Sequence, residues 1–185
     1  ALAVQVFVSG NFVGDAVGVA LGTGTIIAFA FSEEIVKFLA VFLTIRYAKA
    51  FDEPVDAIIY PVIGALGFAT VENVAISYEL IANNALGDAF EVLALRFIGA
   101  TLIHGAAAAI VGYFWSRTLM KNGKDRGALW GLVFAGALHA GFNLFILNFG
   151  NTTYTFLFLL GAGLLVLLTF QRLRHDERIL GYLPS

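Results

Sequence analysis

The sequence predicts an all-α protein, a polytopic transmembrane helical bundle of about five to six spans, and three observations predict it. The chain is 59% hydrophobic and only 13% charged, with a mean hydropathy of +0.86, more apolar than a soluble domain of 185 residues needs. Its apolar residues fall into stretches of about 20 or more, the length that crosses a hydrocarbon core. Its Lys and Arg residues gather at alternate breaks between those stretches, as expected if basic residues near span ends stay in the cytoplasm.

Taken in order, residues 1–9 are too short to span, and candidate spans follow at 12–31, 32–50, 55–82, 90–118, 127–148 and 152–171. Small residues recur inside them, among them Gly14, Gly18, Gly22 and Gly24, then Gly64 and Gly67, then Gly131, Gly136 and Gly141. In lipid such residues let helix backbones approach closely, so the spans are expected to pack as one membrane-embedded domain over residues 1–185. The basic clusters are Arg46 with Lys49, then Arg117, Lys121, Lys124 and Arg126, then Arg172, Arg174 and Arg178. Two spans separate each cluster from the next, so all three fall on one side, which the charge bias assigns to the cytoplasm together with the C-terminus. Residues 83–91 and 148–153 hold no Lys or Arg and belong outside. A net charge of -2 excludes the basic stripe of a nucleic-acid binder, and the absence of cysteine excludes disulfides and thiolate chemistry. The chain starts at Ala1 rather than Met, consistent with a trimmed or processed piece of a longer protein, and no signal peptide is evident.

Charged side chains in a span cost several kcal/mol and so call for a partner, water or a function. Here they come as a set: Glu33, Glu34 and Lys37 in the second candidate span, Glu72 and Asn73 in the third, and Arg96, His104, His139 and Asn143 in later ones. Residues three or four apart share a helix face, which pairs Glu33 with Lys37, Phe68 with Glu72 and His139 with Asn143. Counted inward at ~1.5 Å per residue from the outer span ends, Glu72 and His139 lie roughly 15 Å deep, Asn143 roughly 9 Å and His104 roughly 21 Å. They can meet in the outer half of the bilayer if the helix carrying Glu33 and Glu34 starts a turn or two before Ser32. Each residue also has an ordinary reading. Ser32-Glu33-Glu34 is a normal helix start, with an N-cap and carboxylates suited to the macrodipole. His104 can simply hydrogen-bond a neighbouring helix, and Lys37 and Arg96 suit charge partners. Asp52, Glu53 and Asp56 flank Pro54 as loop residues, His175, Asp176 and Glu177 form a solvated tail, and Asp15 has no assigned role. It is the coincidence of these groups on four spans at compatible depths that points to function.

Glu33-Glu34-x-x-Lys37, Phe68-x-x-x-Glu72-Asn73, His104 and His139-x-x-x-Asn143, in that order over residues 32–143, resemble the motifs of the PrsW family of bacterial intramembrane proteases. The segment from Phe51 through Pro54 to Ala57 adds to the likeness. The wider superfamily of CAAX and bacteriocin-processing proteases has EExxR, FxxxH and HxxxN; Lys37 and Glu72-Asn73 depart from that pattern toward the PrsW branch. The resemblance implies hydrolysis of a peptide bond in a single-pass membrane protein, typically an anti-sigma factor cut on its extracytoplasmic side.

On that resemblance Glu33 is expected to be the general base, with Glu34 assisting it or orienting a histidine. His139 and Asn143 would form the oxyanion site, and His104 and Glu72 would place the water or relay the proton. Lys37, Asn73 and Arg96 are supporting residues. This scheme needs no cofactor. The alternative is zinc held by Glu34, Glu72, His104 and His139, although no HExxH occurs. A rival of another class is a non-enzymatic transporter or binding scaffold whose polar cluster lines a solute path. The polar residues bunch in one half of the membrane, which favours the enzyme.

Overall fold

In lipid each backbone N–H and C=O must be paired within its own segment, and among the described residues this chain meets that demand with helices alone. The computed structural model describes residues 22–82, 86–149 and 152–179, with the backbone alone at 79–80, 86–96, 122, 149, 152 and 176–179. It contains α1 (Thr23–Ile45), α2 (Asp56–Ala82), α3 (Leu86–Asn122), α4 (Gly127–Phe149) and α5 (Thr152–Ile179). Among the described residues, four segments are long and apolar enough to cross a membrane: Asp56–Tyr78, Phe97–Lys121, Gly127–Asn148 and Thr153–His175. The protein is therefore a polytopic helical bundle, with α1 as a fifth, charge-bearing member.

The four later helices follow the spans predicted for them, extended at their polar ends. The first two predicted spans do not survive as drawn. Residues 12–21, and Asp15 with them, lie outside the described residues, and α1 runs unbroken from Thr23 through Ser32 to Ile45. Ser32 is therefore no N-cap. Its Oγ donates back to the Phe29 carbonyl at 2.8 Å, as a mid-helix serine does. The charged triplet interrupts the hydropathy of α1 without interrupting its helix: Lys37 pairs with Glu34 one turn away, and the histidines that complete the set come from other helices.

The centre of the bundle is α3, against which α2, α4 and α5 pack. Of its spanning segment 67% is buried, against 6% for α5. Close approach between α2 and α3 has a definite cause. Pro61 has no N–H to offer the Ala57 carbonyl one turn earlier, and Gly112 of α3 lies against that carbonyl. A Cβ at Gly112 would overlap the Ala57 oxygen and stand 2.5 Å from the Ile58 Cα. Gly131 of α4 meets α3 in the same manner, its added Cβ falling 2.6 Å from the Val111 Cα. Gly112→Leu is accordingly expected to cost about 1–3 kcal/mol or more by forcing α2 from α3, read as a lowered thermal midpoint in detergent.

One end of the bundle is closed by a clasp between connections. Asp125 Oδ1 accepts from Arg46 Nε and from Trp115 Nε1, each at 2.7 Å. The Trp115 ring stacks on Phe51 at 5.1 Å and takes Phe38 edge-on at 5.2 Å. Ser116 Oγ donates to the Pro54 carbonyl, and Asp56 Oδ2 accepts from the backbone N–H groups of Asp52 and Glu53. Leu173, near the far end of α5, packs beside Ile58, near the start of α2. The three basic clusters thus share one end of the bundle, as their spacing in the chain predicts.

Candidate functional site

A helical period explains how α1 offers its polar residues to the interior. Its buried residues Ile26, Ala30, Glu34 and Lys37 recur every three or four positions, so Glu34 and Lys37 belong to the stripe that faces the bundle. Both are almost wholly enclosed, at 2% and 6% exposure. From α3 comes His104 and from α4 His139, each 1% exposed, while Glu72 reaches in from α2.

These groups form a continuous chain of contacts. Lys37 Nζ donates to Glu34 Oε1 at 2.5 Å and to His104 Nδ1 at 2.9 Å. With Nδ1 accepting, the His104 Nε2–H donates to Glu72 Oε2 at 2.9 Å. Glu34 Oε1 also accepts from His139 Nδ1 at 2.7 Å, which leaves His139 Nε2 facing Glu33 Oε2, 3.8 Å away. The two imidazoles meet edge to face with centroids 4.8 Å apart. Phe68, one turn before Glu72, covers the cluster: its ring centroid lies 5.4 Å from that of His104 and 5.5 Å from Lys37 Nζ.

The structure therefore brings Glu33, Glu34, Lys37, Glu72, His104 and His139 together from four helices. Asn143 is buried one turn past His139 on the same face of α4. Asn73 is turned aside toward Thr101 of α3, to which its Nδ2 donates at 3.5 Å. The side chain of Arg96 lies outside the described residues. Thr101 is a neighbour of the site that sequence reasoning did not single out; it lies one turn before His104, and nothing in its own sequence context marks it.

The cluster also suits a cation. One donor atom each from Glu33, His104 and His139 lies within 4.8 Å of the others. Two imidazoles and a carboxylate are a zinc donor set that leaves a position open for water. The Glu34 carboxylate on the far nitrogen of His139 is the outer partner that metal-bound histidines usually have. The zinc set expected from sequence was Glu34, Glu72, His104 and His139; here Glu34 and Glu72 hold imidazole nitrogens, and Glu33 supplies the carboxylate of the grouping.

Comparison with known proteins gives two matches. The profile of the family described as "PrsW family intramembrane metalloprotease" matches residues 1–171. A protein named Protease PrsW from Geobacillus kaustophilus is 32% identical over 101 residues, covering 55% of this chain and 41% of that relative. The chain thus spans about two fifths of the length of the curated relative it matches. No solved structure matches. With a family match over residues 1–171, nearly its whole length, the chain belongs to the PrsW family.

Proposed function

We propose that this chain is the catalytic core of an intramembrane protease that hydrolyses a peptide bond of a single-pass membrane protein. The observation that carries the reading is the convergence of Glu33, His104 and His139 donor atoms within 4.8 Å inside a bundle built for lipid. Glu33, His104 and His139 are the residues to hold zinc, which when bound acidifies a water and polarises the scissile carbonyl.

The chain's own side chains have separable tasks around that centre. Glu34 takes the His139 Nδ1–H and so fixes which nitrogen of that ring faces Glu33. Glu72 sets the orientation of His104 in the same way, and Lys37 balances the buried carboxylates. Asn143, one turn from His139, offers an amide donor to the developing oxyanion. Packing of Phe68 over His104 and Lys37 limits water near the reacting atoms. By the bias of basic residues toward the cytoplasm, the clasped end of the bundle and the end of α5 face inward. Counted from that end at ~1.5 Å per residue, the cluster lies roughly 17–26 Å up a core about 30 Å thick, which suits cleavage toward the extracytoplasmic side. A membrane-anchored anti-sigma factor is the substrate class that this placement and the family resemblance favour.

One observation favours a second reading. The Lys37 ammonium already rests against His104 Nδ1, a cation where a metal would otherwise draw on that ring. In a metal-free scheme Glu33 is the general base, and His139 and Asn143 serve the oxyanion. Elemental analysis of detergent-purified protein, with cleavage measured before and after chelation, separates the two. Stoichiometric zinc and chelator-sensitive cleavage are expected. Full cleavage by metal-free protein would leave Glu33 as the base.

A further inference from the structure

The chemistry proposed above leaves Asn73 without a task, although it adjoins Glu72 in the chain. A step of one residue turns about 100° around a helix, so Asn73 does not share the direction of Glu72. It continues the stripe of Val62, Leu66 and Ala69 instead. Its Nδ2 reaches Thr101 Oγ1 at 3.5 Å, the outer limit of a hydrogen bond, and its Oδ1 is shielded from solvent with no partner among the described residues. Turning the amide over exchanges donor for acceptor and still leaves one half unmatched. A buried polar atom of this kind is costly to keep, and a ligand that draws the amide out toward Thr101 and the neighbouring groove offsets the cost.

Thr101 also borders a cavity of about 830 Å³ between α2, α3 and α5. Leu66 lies on one wall, and small residues line the cavity elsewhere, Gly105 and Ala106 on α3 with Ala162 and Gly163 on α5. At the basic end, α2 and α5 converge on the cluster of Ile58, Tyr113 and Leu173. Beyond that cluster the cavity lies between them, so it is closed at the basic end and continues to Thr101 and Gly105, on either side of His104 in α3. Small residues in lipid are where a foreign helix can lie close. Thr101, the one polar side chain in the lining, lies one turn from His104 and accepts from Asn73, and that continuity with the proposed catalytic cluster selects a peptide over an acyl chain as the occupant.

A helix in lipid has its peptide groups paired internally, so its scissile bond becomes accessible only when a stretch is drawn out straight. Each N–H and C=O released in that way needs a new partner. We infer that Asn73, assisted by Thr101, binds the backbone of the unwound stretch of a single-pass substrate, whose remaining helix lies in the groove between α2, α3 and α5. A carboxamide carries one acceptor and a donor side by side, the complement of a peptide group. The inference rests on the protease reading of the neighbouring cluster.

Asn73→Leu tests it, because a leucine of similar size removes the unmatched atom. The full chain in proteoliposomes is given a single-pass reporter helix of about 20 apolar residues with a cleavable outer junction. The variant is expected to keep or raise its thermal midpoint, by about 2–4 °C, while its KM for the reporter rises about tenfold and kcat stays within about threefold. Asn73→Gln, which retains donor and acceptor, should recover part of the KM. A photoreactive side chain at Leu160, which is 68% exposed and lines the groove, should crosslink to the reporter. A lowered midpoint with a proportional loss of activity would make Asn73 structural and overturn the inference. So would an unchanged KM, or crosslinks confined to lipid, to a second copy or to residues 1–21. If those results come from an enzyme whose wild type cleaves the reporter, the protease reading stands; a wild type that cleaves no membrane-embedded reporter overturns both.

Discussion

Glu33→Gln is expected to reduce cleavage of a membrane-embedded reporter by about a thousandfold with the fold intact, the loss that follows when a positioned acid–base group is removed. Glutamine keeps the size of the side chain and can still reach toward His139 Nε2, so the neighbouring packing is preserved. What disappears is the negative charge next to two imidazoles. If zinc is held by Glu33, His104 and His139, the variant also loses its metal, whereas a metal-free base leaves no ion to lose. Activity assays matched for protein amount, with elemental analysis of the same samples, check both points. Activity retained in Glu33→Gln would remove Glu33 from the reaction.

Glu34→Leu should damage the protein in a different way, through stability. Its carboxylate is 2% exposed, yet it accepts from Lys37 at 2.5 Å and from His139 at 2.7 Å. Removing one partner of a buried ion pair strands the other, a change that costs about 3–5 kcal/mol. The thermal midpoint in detergent should fall sharply, and yield with it. Combining Glu34→Leu with Lys37→Met removes both charges and should restore much of the lost stability without restoring cleavage, since His139 still lacks its orienting carboxylate. If the double variant is no more stable than the single one, the ion pair is not what holds α1 in place.

Much of this was legible in the sequence, and the exceptions have physical causes. The four later helices could be read from apolar length, because in lipid the solvent itself imposes that length. The first helix could not, since Glu33, Glu34 and Lys37 lower its hydropathy at the point where it crosses the bundle, and a serine before two acids looks like a helix start. Gathering Glu72, His104 and His139 needed only their order along the chain and a rough depth. The different orientations of Glu33 and Glu34 were readable in principle, from the spacing of Ile26, Ala30 and Glu34, but adjacent carboxylates hide that difference in a motif. The contacts of Arg46 and Trp115 with Asp125, and the cavity between α2, α3 and α5, depend on how whole helices pack. No short pattern encodes that.

The charges of α1 bear also on how the protein enters the membrane. Each charged residue at a helix centre costs about 2.5–3.5 kcal/mol on insertion scales, so three of them oppose integration of an isolated α1 by at most roughly 8–10 kcal/mol, less whatever the Glu34–Lys37 pair recovers. Glu34 and Lys37 can pair within α1, but the other groups that bond to these charges, His104 and His139, emerge from the ribosome tens of residues later, on α3 and α4. Order of synthesis and order of integration are therefore decoupled: α1 gains a stable transbilayer position only when its downstream helices arrive. For this chain, seating α1 in the membrane and bringing Glu33 and Glu34 to His104 and His139 are the same event.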